Sequence, residues 1–186
     1  GQTEVNLVVG NCTECMPKQP LEAQFKYYVY KNPPYCIESI GSIIKSGVCH
    51  RVEELTDSPT FLLCCKECSG IRFTIPSFSK VPSDSIKLHC HSCQKLYDID
   101  SHNSEGIYLQ SFQQNTCQEK ATSDFFHCEN CSDTLMLPLI SFLYQFDNPA
   151  DFDTSISTSN DFTSFRLYAL CSTCANISPV CEVINE

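Results

Sequence analysis

The sequence predicts a mainly β chain of short strands held together by cysteine-bound metal, and three observations carry the prediction. Fifteen cysteines include five Cys-x-x-Cys pairs, at 12/15, 65/68, 90/93, 128/131 and 171/174, where chance placement gives about one. Short alternating or apolar runs recur at uneven spacing, a pattern compatible with a small barrel rather than a helix bundle. In the stretch Ser85–Cys93, Ile86 and Leu88 face one way and Lys87 and His89 the other, so a half-buried strand delivers two thiols to its end.

The 186 residues make room for one domain, or one plus part of another. Gly1 rather than Met at the start reads as a piece of a longer protein. No run approaches the ~20 apolar residues that cross a bilayer, and no secretory signal pattern opens the chain, so no membrane partner is expected. The net charge of −10 is uneven: residues 1–96 hold ten Lys/Arg against nine Asp/Glu, whereas residues 97–186 hold only Lys120 and Arg166 against thirteen acids. Phosphate neutralisation normally supplies much of the affinity for nucleic acid, so the second half argues for a protein partner instead.

In chain order, Val5–Val9 reads as a short strand and Asn11–Pro20 as a turn-rich loop. The aromatic alternation of Gln24–Tyr30 reads as a second strand, stopped by Asn32-Pro33-Pro34. Residues 41–50, with Gly41 and Gly47, mark the boundary between segments 1–47 and 48–186. Arg51–Leu55 is a helical turn, ended at Ser58 because Pro59 disfavours α geometry before it. Thr60–Cys68 is an apolar strand continued by Ile71–Ile75, and the Ile86 strand follows. Residues 98–124 are polar, with one strand at Gly106–Phe112. Leu135–Phe146 is apolar, yet Pro138 and the alternation of Ser141, Leu143 and Gln145 favour a strand over a buried helix. Asp147–Asn160 is an acidic loop, and Phe165–Leu170 and Pro179–Ile184 close the chain as strands. No internal repeat is visible.

Close cysteine pairs suit a metal, because a disulfide across so short a loop restricts the unfolded chain little. Two closures of a four-cysteine site are open: Cys90/Cys93 with Cys65/Cys68, or Cys90/Cys93 with Cys128/Cys131. Cys64, Cys65 and Cys68 lie in an apolar strand, where cysteine is an ordinary core residue; Cys128/Cys131 follow a polar loop and precede a strand, as a knuckle does. The second closure is therefore expected, as one structural zinc site of Cys90, Cys93, Cys128 and Cys131. His89, His91 and His127 read as surface neighbours of the site. Cys12/Cys15 could form another site with Cys171/Cys174, although free thiols are the simpler reading. No phosphate loop, His-x-Glu pattern or nucleophile elbow is present, so no enzyme is expected.

The motif Ser85-x-Lys-Leu-His-Cys-x-x-Cys93-x-x-Leu96 resembles the zinc-knuckle strand in the C-terminal oligonucleotide-binding (OB) fold of the protection-of-telomeres family, the single-strand-binding subunit of shelterin. Val52-Glu-Glu-Leu55, Ser58-Pro59 and Phe61–Cys65 resemble the start of that fold, Val5–Val9 and Gln24–Tyr30 the end of the one before. Cys128-x-x-Cys131-Ser132, Pro138-Leu139 and Phe146-Asp147 resemble the second knuckle and its strand. Only the Lys-Leu-His-Cys-x-x-Cys knuckle is specific, and the thirty-four residues between knuckles are too few for the resolvase-like domain of vertebrate members. The resemblance implies an OB barrel with an inserted four-cysteine zinc knuckle, in a nuclear, telomeric protein whose C-terminal fold docks a shelterin partner. It places most single-stranded telomeric DNA affinity before Gly1, and it also favours the closure of 90/93 with 128/131.

Aromatic Tyr27, Tyr28 and Tyr30 with Lys31, helped by Phe25 and Lys26, could stack bases at the N-terminal end, although alternation sends one pair of rings into the core. Two other readings compete. A replication-protein-A-like large subunit also ends in a zinc-ribbon barrel, and the 65/68 closure favours it. A secreted, disulfide-rich interaction domain has support from sequons at Asn11, Asn130 and Asn176.

Overall fold

The computed structural model describes residues 21–77, 85–100, 107–111, 125–145 and 159–185. The expected Val5–Val9 strand and the Cys12/Cys15 pair lie outside these residues. Mainly β architecture is what they form: nine strands in one antiparallel sheet that curls like half a barrel. The strands are β1 (Gly41–Ile43), β2 (Thr60–Cys64), β3 (Phe73–Thr74), β4 (Ser85–Cys90), β5 (Leu96–Asp100), β6 (Ile107–Ser111), β7 (Met136–Leu143), β8 (Ser164–Cys171) and β9 (Ile177–Asn185). Their order is β5-β4-β3-β7-β8-β9-β6, with β2 joining β7 beside β3 and β1 joining β2. Gly41 lets that last pair close up, because a Cβ there would come within 2.7 Å of the Cys64 sulfur.

Two helices accompany the sheet: α1 (Leu21–Lys31) and α2 (Ser46–Thr56). The first corrects the strand expected over Gln24–Tyr30. Phe25 and Val29, four residues apart, are both buried, so the period that decided the structure was the helical one. Aromatic content is a weak strand signal because it measures fit to a half-buried surface, and a helix face offers one too. Asn32 ends the helix, its backbone and side-chain N–H groups both donating to the Tyr28 carbonyl. The second helix is twice as long as the expected turn and stops at Asp57, a left-handed residue whose N–H returns to the Glu53 carbonyl.

One face of the sheet holds the main core, including Phe61, Phe73, Ile86, Leu88, Phe142, Phe165 and Leu167. Phe25, Val29, Cys36, Ile37 and Ile40, which precede the expected boundary, belong to that same core. Across the sheet, Cys49 and Val52 of α2 pack on Leu62, Leu139, Tyr168 and Leu170. Each fully buried side chain of this size stabilises by roughly 1.5–3 kcal/mol.

A repeat invisible in the sequence organises the strands. β3-β4-β5 and β7-β8-β9 are two three-stranded meanders, joined back to back where Phe73 pairs with Met136. Phe73 pairs with Cys90 and Met136 with Cys171; His89 pairs with Leu96 and Leu170 with Ile177. The lead-in strands are exchanged: Leu62, ahead of the first meander, pairs with Leu139 of the second, and Phe125, ahead of the second, bridges to Pro76 of the first. Cys65 and Cys128, Phe73 and Met136, Leu62 and Phe125, and Pro76 and Leu139 are all sixty-three residues apart. The two halves are thus related by a local two-fold axis through the Phe73–Met136 pair.

Candidate metal centres

Each meander carries two of the Cys-x-x-Cys pairs, one ahead of its first strand and one in the tight turn between its second and third. All four turns share one backbone. The N–H of the first cysteine donates to the carbonyl five residues on, from Cys65 to Gly70, Cys90 to Lys95, Cys128 to Asp133 and Cys171 to Asn176, each at 2.8 Å. The residue after the second cysteine donates back to the first cysteine's carbonyl, at 2.8–3.1 Å. That residue has positive φ in every case: Ser69 at 58°, Gln94 at 63°, Ser132 at 60° and Ala175 at 59°. Non-glycine residues adopt this region only where the surroundings over-determine it.

The turns meet in pairs. His91 N–H donates to the Arg72 carbonyl and Ser172 N–H to the Leu135 carbonyl, stitching the two turns of each ribbon together. Cys65, Cys68, Cys90 and Cys93 form one tetrad, and Cys128, Cys131, Cys171 and Cys174 another; within each, all four sulfurs lie within 4.8 Å of one another. Cross-turn contacts are 3.4 Å for Cys65–Cys93, 3.6 Å for Cys68–Cys90, and 3.4 Å for both Cys128–Cys174 and Cys131–Cys171. A metal bound at about 2.3 Å by four sulfurs sets tetrahedral edges of about 3.8 Å, whereas a disulfide needs about 2.05 Å. Four sulfurs at these separations fit a metal ion.

This geometry corrects the expected single site. Cys90 and Cys93 do not share a tetrad with Cys128 and Cys131: the first pair closes with Cys65/Cys68, the second with Cys171/Cys174, and the described residues hold two candidate sites rather than one. The apolar context of Cys65 misled because a knuckle buries its first cysteine and exposes its second. Cys65, Cys90, Cys128 and Cys171 are buried, while Cys68, Cys93, Cys131 and Cys174 are exposed. Cys171 and Cys174 were missed as ligands of this set. Their signal was the alternating strand on either side, the same frame that made Cys90/Cys93 conspicuous.

The histidines stand outside both tetrads. His89 Nε2 lies 2.9 Å from the Gln94 carbonyl, and His91 and His127 are exposed. The remaining described cysteines, Cys36, Cys49, Cys64 and Cys181, are free thiols, and burial pushes Cys36 and Cys181 up to about 12.

Within the tetrads the sulfurs are unequal. Burial works against a Cys65 thiolate, but hydrogen bonds from Tyr97 and from the backbone of Cys68 outweigh it and bring the group down to about 6. Burial likewise opposes the Cys128 thiolate, and the backbone N–H groups of Cys131 and Asn130 bring it down to about 7. Lys95 and Asp133 N–H groups pull Cys93 and Cys131 down, but the neighbouring sulfurs, Cys65 and Cys171 foremost, push both up to about 12. In each metal-free cluster one thiol, Cys65 or Cys128, ionises readily while the exposed Cys93 or Cys131 keeps its proton, so loading a metal releases protons and strengthens with pH.

The aromatic residues named for base stacking are dispersed by the helix. Tyr28 and Tyr30 pack against the core, and the Tyr30 hydroxyl donates to the Glu53 carboxylate and accepts from the Thr60 N–H. Tyr27 is exposed, with Lys31 Nζ 5.3 Å from its ring centre. Comparison with family models, curated proteins and solved structures finds no match for this chain.

Proposed function

We propose that this chain is a non-catalytic binding module on two structural zinc staples, the end region of a single-strand-DNA-protecting protein of the protection-of-telomeres kind. The observation that carries the reading is the pair of closed sulfur tetrads, because a metal with four thiolate ligands has no coordination position left for water or substrate. All-sulfur donors at tetrahedral spacing suit zinc among the common cellular metals. Cys65, Cys68, Cys90 and Cys93 hold one ion, and Cys128, Cys131, Cys171 and Cys174 the other. The zinc supplies folding free energy, and the sheet it fixes presents a surface to another protein.

The telomeric assignment rests on the Lys87-Leu88-His89-Cys90-x-x-Cys93 knuckle, and the curled sheet is compatible with the OB barrel that assignment requires. On this reading the module works in the nucleus at chromosome ends, its acidic second half docks a shelterin subunit, and DNA is held elsewhere in the protein. A second reading is favoured by one observation: the closure of 90/93 with 65/68 across twenty-one residues is the one expected of a replication-protein-A-like zinc ribbon.

Elemental analysis of the reduced chain comes first, with two zinc ions per chain expected. Calorimetric titration with purified shelterin subunits, and separately with the small subunits of a replication-protein-A-type complex, then separates the two readings. Binding to the second set alone overturns the telomeric assignment, and a chain without zinc overturns the module itself.

A further inference from the structure

The two tetrads share a backbone but not their surroundings. In the first ribbon, the Tyr97 hydroxyl lies 3.0 Å from the buried Cys65 sulfur and accepts the Lys66 N–H at 3.0 Å. Tyr97 itself is buried. When Cys65 is a metal-bound thiolate it has no proton, so the phenol must be the donor of that bond. The matching position in the second ribbon is Ser178, whose partner is the Asn176 side chain.

Charge differs as well. A divalent ion with four thiolates carries a net charge of −2. The turns of the first ribbon bring Lys66, Arg72 and Lys95 against Glu67; those of the second bring Glu129 and Asp133 and no lysine or arginine of their own. Arg51 of α2 reaches the second ribbon and bonds the Ala175 carbonyl, as Lys66 of the first bonds the Glu38 carbonyl, so the excess of positive charge on the first ribbon rests on Arg72 and Lys95. Asp133 is held by the Thr173 hydroxyl, so its carboxylate is fixed beside the cluster. Cations near a dianionic cluster stabilise it and anions destabilise it, and partial burial limits the screening by salt.

Resting on the metal reading above, we infer that the two sites retain metal unequally: the Cys65/68/90/93 site is the permanent staple, and the Cys128/131/171/174 site surrenders its ion first. Tyr97 is the positioning residue that sets the difference, holding the Cys65 sulfur in place and drawing off its charge. The chain therefore has a one-metal form in which the second ribbon alone is unstapled.

The test is zinc release from the fully loaded chain to an excess of a zinc-chelating dye, followed by the absorbance of the dye–zinc complex. Two phases of one zinc each are expected. Cys131→Ser removes the fast phase and Cys68→Ser the slow one. Tyr97→Phe speeds the slow phase about 10-fold, the usual scale for an outer partner of a metal ligand, and leaves the fast phase alone. With cobalt in place of zinc, the same variant shifts the thiolate-to-metal charge-transfer band of the first site, which a mere loss of packing does not do. A single phase releasing both ions, loss of the fast phase in Cys68→Ser, or an unchanged slow phase in Tyr97→Phe overturns the inference while the two staples stand. A chain that binds no zinc overturns the metal reading with it.

Discussion

The first ribbon fastens its sulfur tetrad from within and the second from across its mouth. Tyr97 reaches the Cys65 sulfur in one; in the other, the Thr173 hydroxyl on one turn donates to the Asp133 carboxylate on the facing turn. The positions matching Asp133 and Thr173 in the first ribbon are Gly70 and Ser92, where a Cβ on Gly70 would sit 3.0 Å from the Ser92 oxygen. Both ribbons nevertheless keep the same hydrogen bonds and the same left-handed residue in each turn. The lesson is that backbone N–H groups and sulfurs define the knuckle, while side chains only decide how tightly it is held.

Removing both metals tests that lesson most severely. Structural zinc contributes roughly 10–16 kcal/mol in small metal-dependent domains, so a strong chelator is expected to abolish most of the β circular dichroism signal. A metal-free chain that keeps its strands would show that hydrogen bonds alone define the turns. The next effect belongs to the seam between the ribbons. Phe73→Ala should cost about 3–5 kcal/mol and Met136→Ala about 2–5 kcal/mol by chemical denaturation, because both side chains are fully enclosed at the local two-fold axis. Equal costs would mean the two halves share the seam evenly; a much smaller cost for Met136 would place the load on the first ribbon.

Smaller changes probe the fastenings. Asp133→Ala should cost about 1 kcal/mol in thermal unfolding, through the lost bond from the Thr173 hydroxyl, and should leave the first ribbon unchanged. Gly70→Asp should not transplant the clasp, because the new Cβ would also lie 3.2 Å from the Cys68 sulfur, which a bound metal fixes; a loss of about 1 kcal/mol is expected in thermal unfolding. Alkali separates the ribbons by another route. Cys181 lies in β9 of the second, where it pairs with Leu167 as Ile99 pairs with Ile86 in the first, and burial raises it from 9.0 to about 12. Its neutral form is favoured on folding, so the stability it contributes is full below about pH 9 and lost as pH rises toward about 12. About 1 kcal/mol should disappear between about pH 9 and 10, and Cys181→Val should remove that loss.

Much of the strand content was legible. β7, with Pro138 inside it, and the closing pair β8 and β9 follow from alternation and from cysteines flanked by strands. Gln24–Tyr30 was not, because over seven residues Phe25 and Val29 satisfy the helical period while the aromatics imitate the strand one. The site was legible as to residue type and blind as to pairing. Sequence spacing orders cysteines along the chain, whereas partnership depends on which turns the sheet brings face to face, and that is settled by long-range pairs such as Phe73 with Met136. The repeat was hidden for a related reason. At matched positions in the knuckles the identities are the eight cysteines and Ser69 with Ser132, since backbone bonds accept almost any side chain.

The exchange of lead-in strands has a consequence for assembly. A surface related to its neighbour by a two-fold axis is self-complementary, as in an isologous dimer. Here both copies lie on one chain, so the contact forms at an effective concentration set by the connecting residues and is independent of protein concentration. A single ribbon made alone would keep half of that surface, with an unpaired strand edge and an exposed Phe73 or Met136, and its natural occupant is a second copy of itself. Tethering two such units converts a concentration-dependent homodimer into one folding unit, and frees each half to drift in sequence toward a different task.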